Sequence, residues 1–342
     1  MIRKVLGLTI IVWALAAVVA QATVTGTYSV AIDPGSQTSL QFKTSTVGPI
    51  VIETVTSLGP SPVRFSLLSE GASEPLAKIE GSDKITLNYS QATDNTAYTV
   101  QIENIGTSRV QGRVNVTYPV AYCKEASVAF NITFSFSIGA QPLEADQCKV
   151  MLSVLSSLRE PFPLALSRVE QVPPSNSVAG QYSPGLFPRI RVFGSYTGAD
   201  LARIFFHEVG HHIQFKHFTD EQQTRWTTLH KESGNDSQAY ARLYGMENEF
   251  EDWATVVELY TKDTLFEIER AQRLAADGKT ILLEKYKFAL QLLSFQQEGQ
   301  AYTHIYRTDR QGFDAAVVNR ATVPLGPDGL PVISGDISWE QF

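Results

Sequence analysis

The chain has 342 residues, 43% of them apolar and 18% charged, with a formal net charge of −7. That length accommodates two domains of ordinary size, and that composition belongs to folded globular chains rather than disordered or fibrous ones. The acidity, unrelieved by any run of basic residues, excludes a sequence-wide footprint for nucleic acid or an anionic membrane.

At the amino terminus, Arg3 and Lys4 precede an almost unbroken apolar run from Val5 to Ala20. Ala20-Gln21-Ala22 then offers small residues at the two positions a signal peptidase reads. This order predicts a secretory signal peptide over 1–22, cleaved after Ala22. The run falls short of the ~20 residues of a spanning helix. No integral membrane association is expected after cleavage, and the expected location is extracellular or periplasmic. Cys123 and Cys148 are the two cysteines, and in an exported chain they predict one disulfide across the join between the two halves. Asn88, Asn115, Asn131 and Asn235 open Asn-x-Ser/Thr sequons, relevant only in a glycosylating host.

The predicted fold class is α+β. Residues 23–142 read as an antiparallel β-sandwich, from short alternating segments separated by turn clusters, with no helical stretch between them. Val51–Val55, Thr99–Glu103, Val114–Tyr118 and Phe130–Phe136 are the clearest strands, and Asp33-Pro34-Gly35-Ser36 and Ser57-Leu58-Gly59-Pro60 the clearest turns. This half holds no histidine and no cluster suited to chemistry. In shape alone it resembles the small sandwich domains that accompany many secreted bacterial peptidases.

Residues 143–342 have a different texture. Asp146–Leu158 reads as a helix, and a Pro-rich stretch and a short strand, Arg189–Phe193, follow. Helical patterns then dominate over Ala199–His217, Asp220–Lys231, Glu247–Thr261, Asp263–Ala276 and Thr280–Glu298. The final forty or so residues read as irregular.

His207-Glu208-Val209-Gly210-His211 lies within the first of these helices. Four-residue spacing puts both imidazoles on one face, a turn apart, within reach of one tetrahedral ion. Glu208 stands about 100° around from His207, placed to bond a water rather than to ligate. The pattern is the His-Glu-x-x-His zinc motif with Glu208 as general base. Thr197 and Asp200 suggest a capping box, and Ala202, Phe205, Val209 and Ile213 give the helix an apolar back. Gly210, beside the metal face, leaves room for another segment to approach.

A catalytic zinc of this type needs a third protein ligand and an open position. Gly is absent from the place that a His-x-x-Gly-x-x-His continuation requires. His212 projects about 140° from His207, and His217 is beyond easy reach. The acidic segment Glu247–Ala254 is the better source, with Glu247, Glu249 and Glu251 as candidates.

Phe206-His207-Glu208-Val209-Gly210-His211 followed by Leu243-Tyr244-Gly245-Met246-Glu247-Asn248-Glu249-Phe250-Glu251-Asp252-Trp253-Ala254 resembles the protease domain of anthrax lethal factor-like metallopeptidases. That family shows His-Glu-x-Gly-His and then Tyr-Gly-x-x-Asn-Glu-x-Glu-x-x-Ala at a similar distance. The resemblance covers roughly His207 to Asp263. It implies a mostly helical, zincin-like domain with Glu251 as third ligand to one Zn2+ and Tyr244 as hydrogen-bond donor to the oxyanion. One departure stands out: the family commonly carries an acid four positions after the third ligand, bracing a ligand histidine, and this chain has Thr255 there. Taking Glu247 as ligand restores the acid pair but breaks the second motif.

The expected activity is therefore a secreted zinc endopeptidase acting on a peptide or protein substrate. Arg189–Phe193 is the strand expected to pair with that peptide. The competing expectation is a secreted binding or adhesion protein with a structural zinc, which leaves Glu208 without a purpose.

Overall fold

The computed structural model describes residues 24–306, 317–332 and 337–342. The predicted signal peptide lies outside the described residues. The chain folds as two compact units, one comprising residues up to Cys148 with Val169–Ser175, the other Lys149–Arg168 with Asn176 onward.

The first unit contains β1 (Val24–Ile32), β2 (Gln37–Lys43), β3 (Gly48–Thr54), β4 (Val63–Ser69), β5 (Ala77–Gly81), β6 (Thr86–Ala92), β7 (Ala97–Asn104) and β8 (Val110–Tyr118). It continues with α1 (Cys123–Phe130), β9 (Thr133–Phe136), the start of α2 (Ala145–Ser157) and most of β10 (Arg168–Val172). Its strands run β10-β9-β1-β8-β3-β6 in one sheet and β2-β7-β4-β5 in the other. Period-two alternation builds them: along β7 every second residue is buried, from Tyr98 through Val100 and Ile102 to Asn104. The sheets share a core, with the Phe42 and Tyr118 rings 4.6 Å apart. Buried Asn104 is satisfied: its Nδ2 donates to Ile32 O and Ser108 O, and its Oδ1 accepts from Ser61 Oγ.

Two sequence expectations fail here. The sheet is mixed rather than purely antiparallel, because β1 pairs parallel with β9. The strand expected over Phe130–Phe136 is only Thr133–Phe136, and α1 precedes it in a stretch expected to lack helix. Cys123 and Ala126 face inward three residues apart, a helical spacing, and Asn131 ends the helix at φ 56°. The Cys123–Cys148 disulfide forms within this unit, tying α1 to α2.

The second unit contains β11 (Gly180–Ser183), β12 (Arg189–Phe193), α3 (Gly198–His217), α4 (Asp220–Ser233), α5 (Glu249–Lys262), α6 (Thr264–Ala276) and α7 (Ile281–Ala289). A small sheet follows, β13 (Phe295–Gln297), β14 (Gln300–Ile305), β15 (Asn319–Pro324) and β16 (Glu340–Gln341). Helices α3 and α5 pack face to face at Gly210, where a Cβ would stand 3.0 Å from Ala254 Cα. There Trp253 Nε1 donates to Gly210 O at 2.8 Å. Phe205, Val209 and Ile213 line the buried back of α3.

Thr197 makes no side-chain cap to α3, so the expected capping box does not form; the capping box belongs to Thr219 and Gln222 on α4. The single helix expected over Thr280–Glu298 ends at Ala289, passes through a π-helical turn at Leu290–Ser294 and becomes β13. Gly299, at φ 76°, makes the turn into β14, so the tail expected to be irregular carries a sheet instead.

Candidate metal centre

α3 and α5 meet where His207, His211 and Glu251 converge. Glu251 lies in the first turn of α5, and that turn is fixed by Asn248, whose Oδ1 accepts from Phe250 N and Glu251 N at 2.9 and 3.0 Å. Glu251 Oε2 is 3.0 Å from His207 Nε2 and 3.4 Å from His211 Nε2. Ligands about 2.0–2.1 Å from a tetrahedral ion stand ~3.3 Å from one another, so these separations match the edge of such a site. Two imidazoles and one carboxylate are also a zinc donor set. Among the described residues these three alone form a cluster of this kind. The other acids lie elsewhere: Glu249 Oε1 accepts from Gln223 Nε2, and Glu247 is exposed. His212 is turned away toward Leu164 O and Tyr182 Oη, and burial pushes it down to about 4.

His207 Nδ1 lies 3.2 Å from Glu258 Oε2. The brace that the resemblance sought four residues after Glu251 thus comes from seven residues after it, still on the same face of α5. Thr255 does not brace: its hydroxyl donates to Asp252 O at 3.0 Å. Burial alone pushes Glu258 up, but His207, Arg242 and Arg203 together hold it below the ordinary carboxylate value. With Nδ1–H donated to Glu258, the Nε2 lone pair of His207 is directed to the ion site.

A second cluster, built on the fully buried pair Asp252 and Lys285, anchors the same turn. Asp252 Oδ2 accepts from Lys285 Nζ at 2.7 Å and from His230 Nδ1 at 2.9 Å. Lys285 also donates to Ala239 O at 2.9 Å and sits 4.1 Å from the Tyr240 ring centroid. The sequence reading missed it because an isolated Lys on a helix normally reads as solvated.

Glu208 is 4% exposed. Its carboxylate rests on Gly180 of β11, where a Cβ would fall 2.5 Å from Oε1, and the Tyr182 N–H donates to it. Oε2 has no partner. Burial raises its pKa, and His207 and His211 pull the other way. Tyr244 sits in a 3-10 turn, Leu243–Met246, its ring centroid 5.9 Å from that of His207. The turn lies close against α5 because Gly245 has no Cβ, which would meet Thr255 Oγ1 at 2.8 Å. Tyr244 is half-exposed, and its pKa is raised by burial and by Glu251 and Glu208.

These side chains line a cavity of about 460 Å³. No family model matches the chain, and no curated protein does. Among solved structures, the Yersinia pseudotuberculosis-derived mitogen is 15% identical, with 28% of this chain and 85% of that one covered at a TM-score of 0.22. PliG, a periplasmic inhibitor of g-type lysozyme from Aeromonas hydrophila, is 13% identical, with 28% and 86% covered at 0.22. The C-terminal CBM6 of LamC from Zobellia galactanivorans is 21% identical, with 25% and 75% covered at 0.20. Likeness at this level assigns neither fold nor activity.

The strand beside the cavity is not the one expected. Arg189–Phe193 is already paired with β11, whereas β11 ends its sheet and contributes Gly180, Gln181 and Tyr182 to the cavity wall.

Proposed function

We propose that the chain is a secreted zinc endopeptidase, and that its second unit is a zincin-like domain of the anthrax lethal factor-like type. The observation that carries this is the unpartnered Oε2 of buried Glu208 beside the His207–His211–Glu251 cluster. A buried carboxylate oxygen without a donor costs free energy, which a purely structural metal site gives no reason to bear. The Cys123–Cys148 disulfide fits an oxidising compartment. Among the described residues no helix is long and apolar enough to cross a membrane.

His207, His211 and Glu251 would hold the ion. Zinc bound there would act as a Lewis acid and bring the pKa of water toward 7. Glu208 takes a proton from the attacking water and returns it to the leaving amine. The Tyr244 hydroxyl donates to the oxyanion, a contribution of about 3–4 kcal/mol for one such donor. The free edge of β11 would hold the substrate as an added strand, in place of the Arg189–Phe193 strand.

Casein digestion by purified protein, with and without a chelator and beside Glu208→Gln, tests this. Activity abolished in both controls, with metal retained in Glu208→Gln, is the expected result. One equivalent of bound metal and no cleavage across a peptide library would leave a binding protein.

A further inference from the structure

One end of this cavity carries more positive charge than the proposed chemistry uses. Arg203 lies four residues before His207 on α3, so the two project from one face a turn apart, about 6 Å along the axis. Arg242 comes from the residue preceding the Tyr244 turn. Both guanidiniums address the same oxygen, Glu258 Oε1, at 3.4 and 2.5 Å. The Glu258 side chain is 2% exposed, while those of Arg203 and Arg242 are 36% and 41% exposed and line the cavity.

Two cations against one carboxylate leave a positive charge over. The other acids of the cavity do not neutralise it, because Glu251 and Glu208 stand at the ion site itself. A brace for Glu258 needs one guanidinium; a second, open to the cavity, is left to another partner. Each engages Glu258 through a single nitrogen, and the planar fork retains N–H donors in the geometry that suits a second carboxylate.

We propose that Arg203 and Arg242 form a carboxylate-binding subsite that selects peptides with an acidic group beside the scissile bond. The group is an Asp or Glu side chain in endopeptidase action, or a free C-terminus if the same zinc site acts as a carboxypeptidase; both present the same planar anion. The proposal rests on the hydrolase reading and narrows its substrates. It also runs against the protein's overall charge of −7, which on its own would repel acidic peptides, so the preference must be local to this end of the cavity.

The test uses quenched fluorescent peptides in matched pairs, with Glu or Gln at each of the two residues flanking the cleaved bond. A second set carries a free or an amidated C-terminus. Wild-type protein is expected to favour one acidic member by about tenfold or more in kcat/KM, the scale of one charge-assisted hydrogen bond. The pair that shows the preference identifies whether a side chain or a terminus is bound. In Arg203→Gln and Arg242→Gln the ratio should fall toward one, and a ratio is insensitive to a general loss of zinc or stability. Fluorescence anisotropy with Glu208→Gln protein should show the same order of binding, weakened by added salt. Equal rates and equal binding across all pairs in the wild type overturn the subsite and leave the hydrolase reading standing. Selective binding of acidic peptides with no cleavage of any overturns the hydrolase reading and leaves the subsite.

Discussion

Glu258 Oε2 lies 3.2 Å from His207 Nδ1, while the opposite nitrogen of the same ring lies 3.0 Å from Glu251 Oε2. One imidazole is thus held between two carboxylates of the same helix, one at the ion site and one behind it. The rear contact sets which nitrogen carries the proton. Glu258→Gln keeps the shape but can present its NH2 to Nδ1, which favours the wrong tautomer. Zinc affinity, read by competition against a chromophoric chelator, should fall about 10–100-fold. An affinity equal to wild type would reduce Glu258 to a packing residue.

Gly180 leaves the space that the Glu208 carboxylate occupies, since a Cβ there would fall 2.5 Å from Oε1 and 2.8 Å from Cγ. Gly180→Ala must therefore displace the carboxylate while leaving His207, His211 and Glu251 untouched. The expected phenotype separates two properties: full zinc content, and kcat lowered by about 10²–10⁴, the range of a lost general base. Inductively coupled plasma analysis beside a peptide assay measures both.

The two ends of this site differed in how far the sequence revealed them. His207, Glu208 and His211 were legible because helical periodicity alone brings them together. Glu251 was legible only through the second motif; spacing alone left Glu247 and Glu249 open, and what separates the three is the Asn248 cap that starts α5 at Glu249. Gly180 was not legible, because its role depends on a strand edge passing over Glu208, a long-range contact without local signature. Glu258 had a signal that a fixed four-residue template obscured: seven residues return a side chain to the same helix face. The C-terminal sheet was missed because β13 and β16 are only 3 and 2 residues long, and because β14 and β15 bury polar Thr303, His304 and Asn319, so their sequences do not alternate apolar with polar throughout.

Lys285 and Asp252 are each fully buried and 2.7 Å apart. Burial drives Lys285 down and Asp252 up, and their mutual attraction opposes both. Removing one partner strands the other's charge in the interior. Lys285→Met should cost about 3–5 kcal/mol of stability in urea denaturation, and it should loosen the turn carrying Glu251, so zinc affinity falls in parallel. The double change Lys285→Met with Asp252→Leu removes both charges and should recover most of the stability without the affinity. A single variant as stable as wild type would exclude the pair as an anchor.

Metal removal should change how stability depends on pH. In the metal-free chain burial pulls His207 down, but Glu251 and Glu258 outweigh it and raise the group from 6.5 to about 9. A pKa raised on folding means that the imidazolium's stabilisation is fully present below pH 6.5 and is lost as pH climbs to about 9. Glu251 is shifted in the opposite sense: burial opposes the shift, yet its bonds to His207 and His211 bring it from 4.5 to about 2. Its contribution holds above pH 4.5 and disappears as pH falls toward 2. Chelated protein should therefore be most stable, as far as these two groups decide it, between about pH 4.5 and 6.5, and melt earlier at pH 9. Zinc-loaded protein should behave otherwise on the alkaline side, because an ion requires neutral imidazole and its affinity grows as the proton leaves. The gap in melting temperature between loaded and chelated protein should widen from pH 6 to pH 9. A gap that stays constant over that range would mean that His207 neither loses a proton to the ion nor pairs with the two carboxylates in its absence.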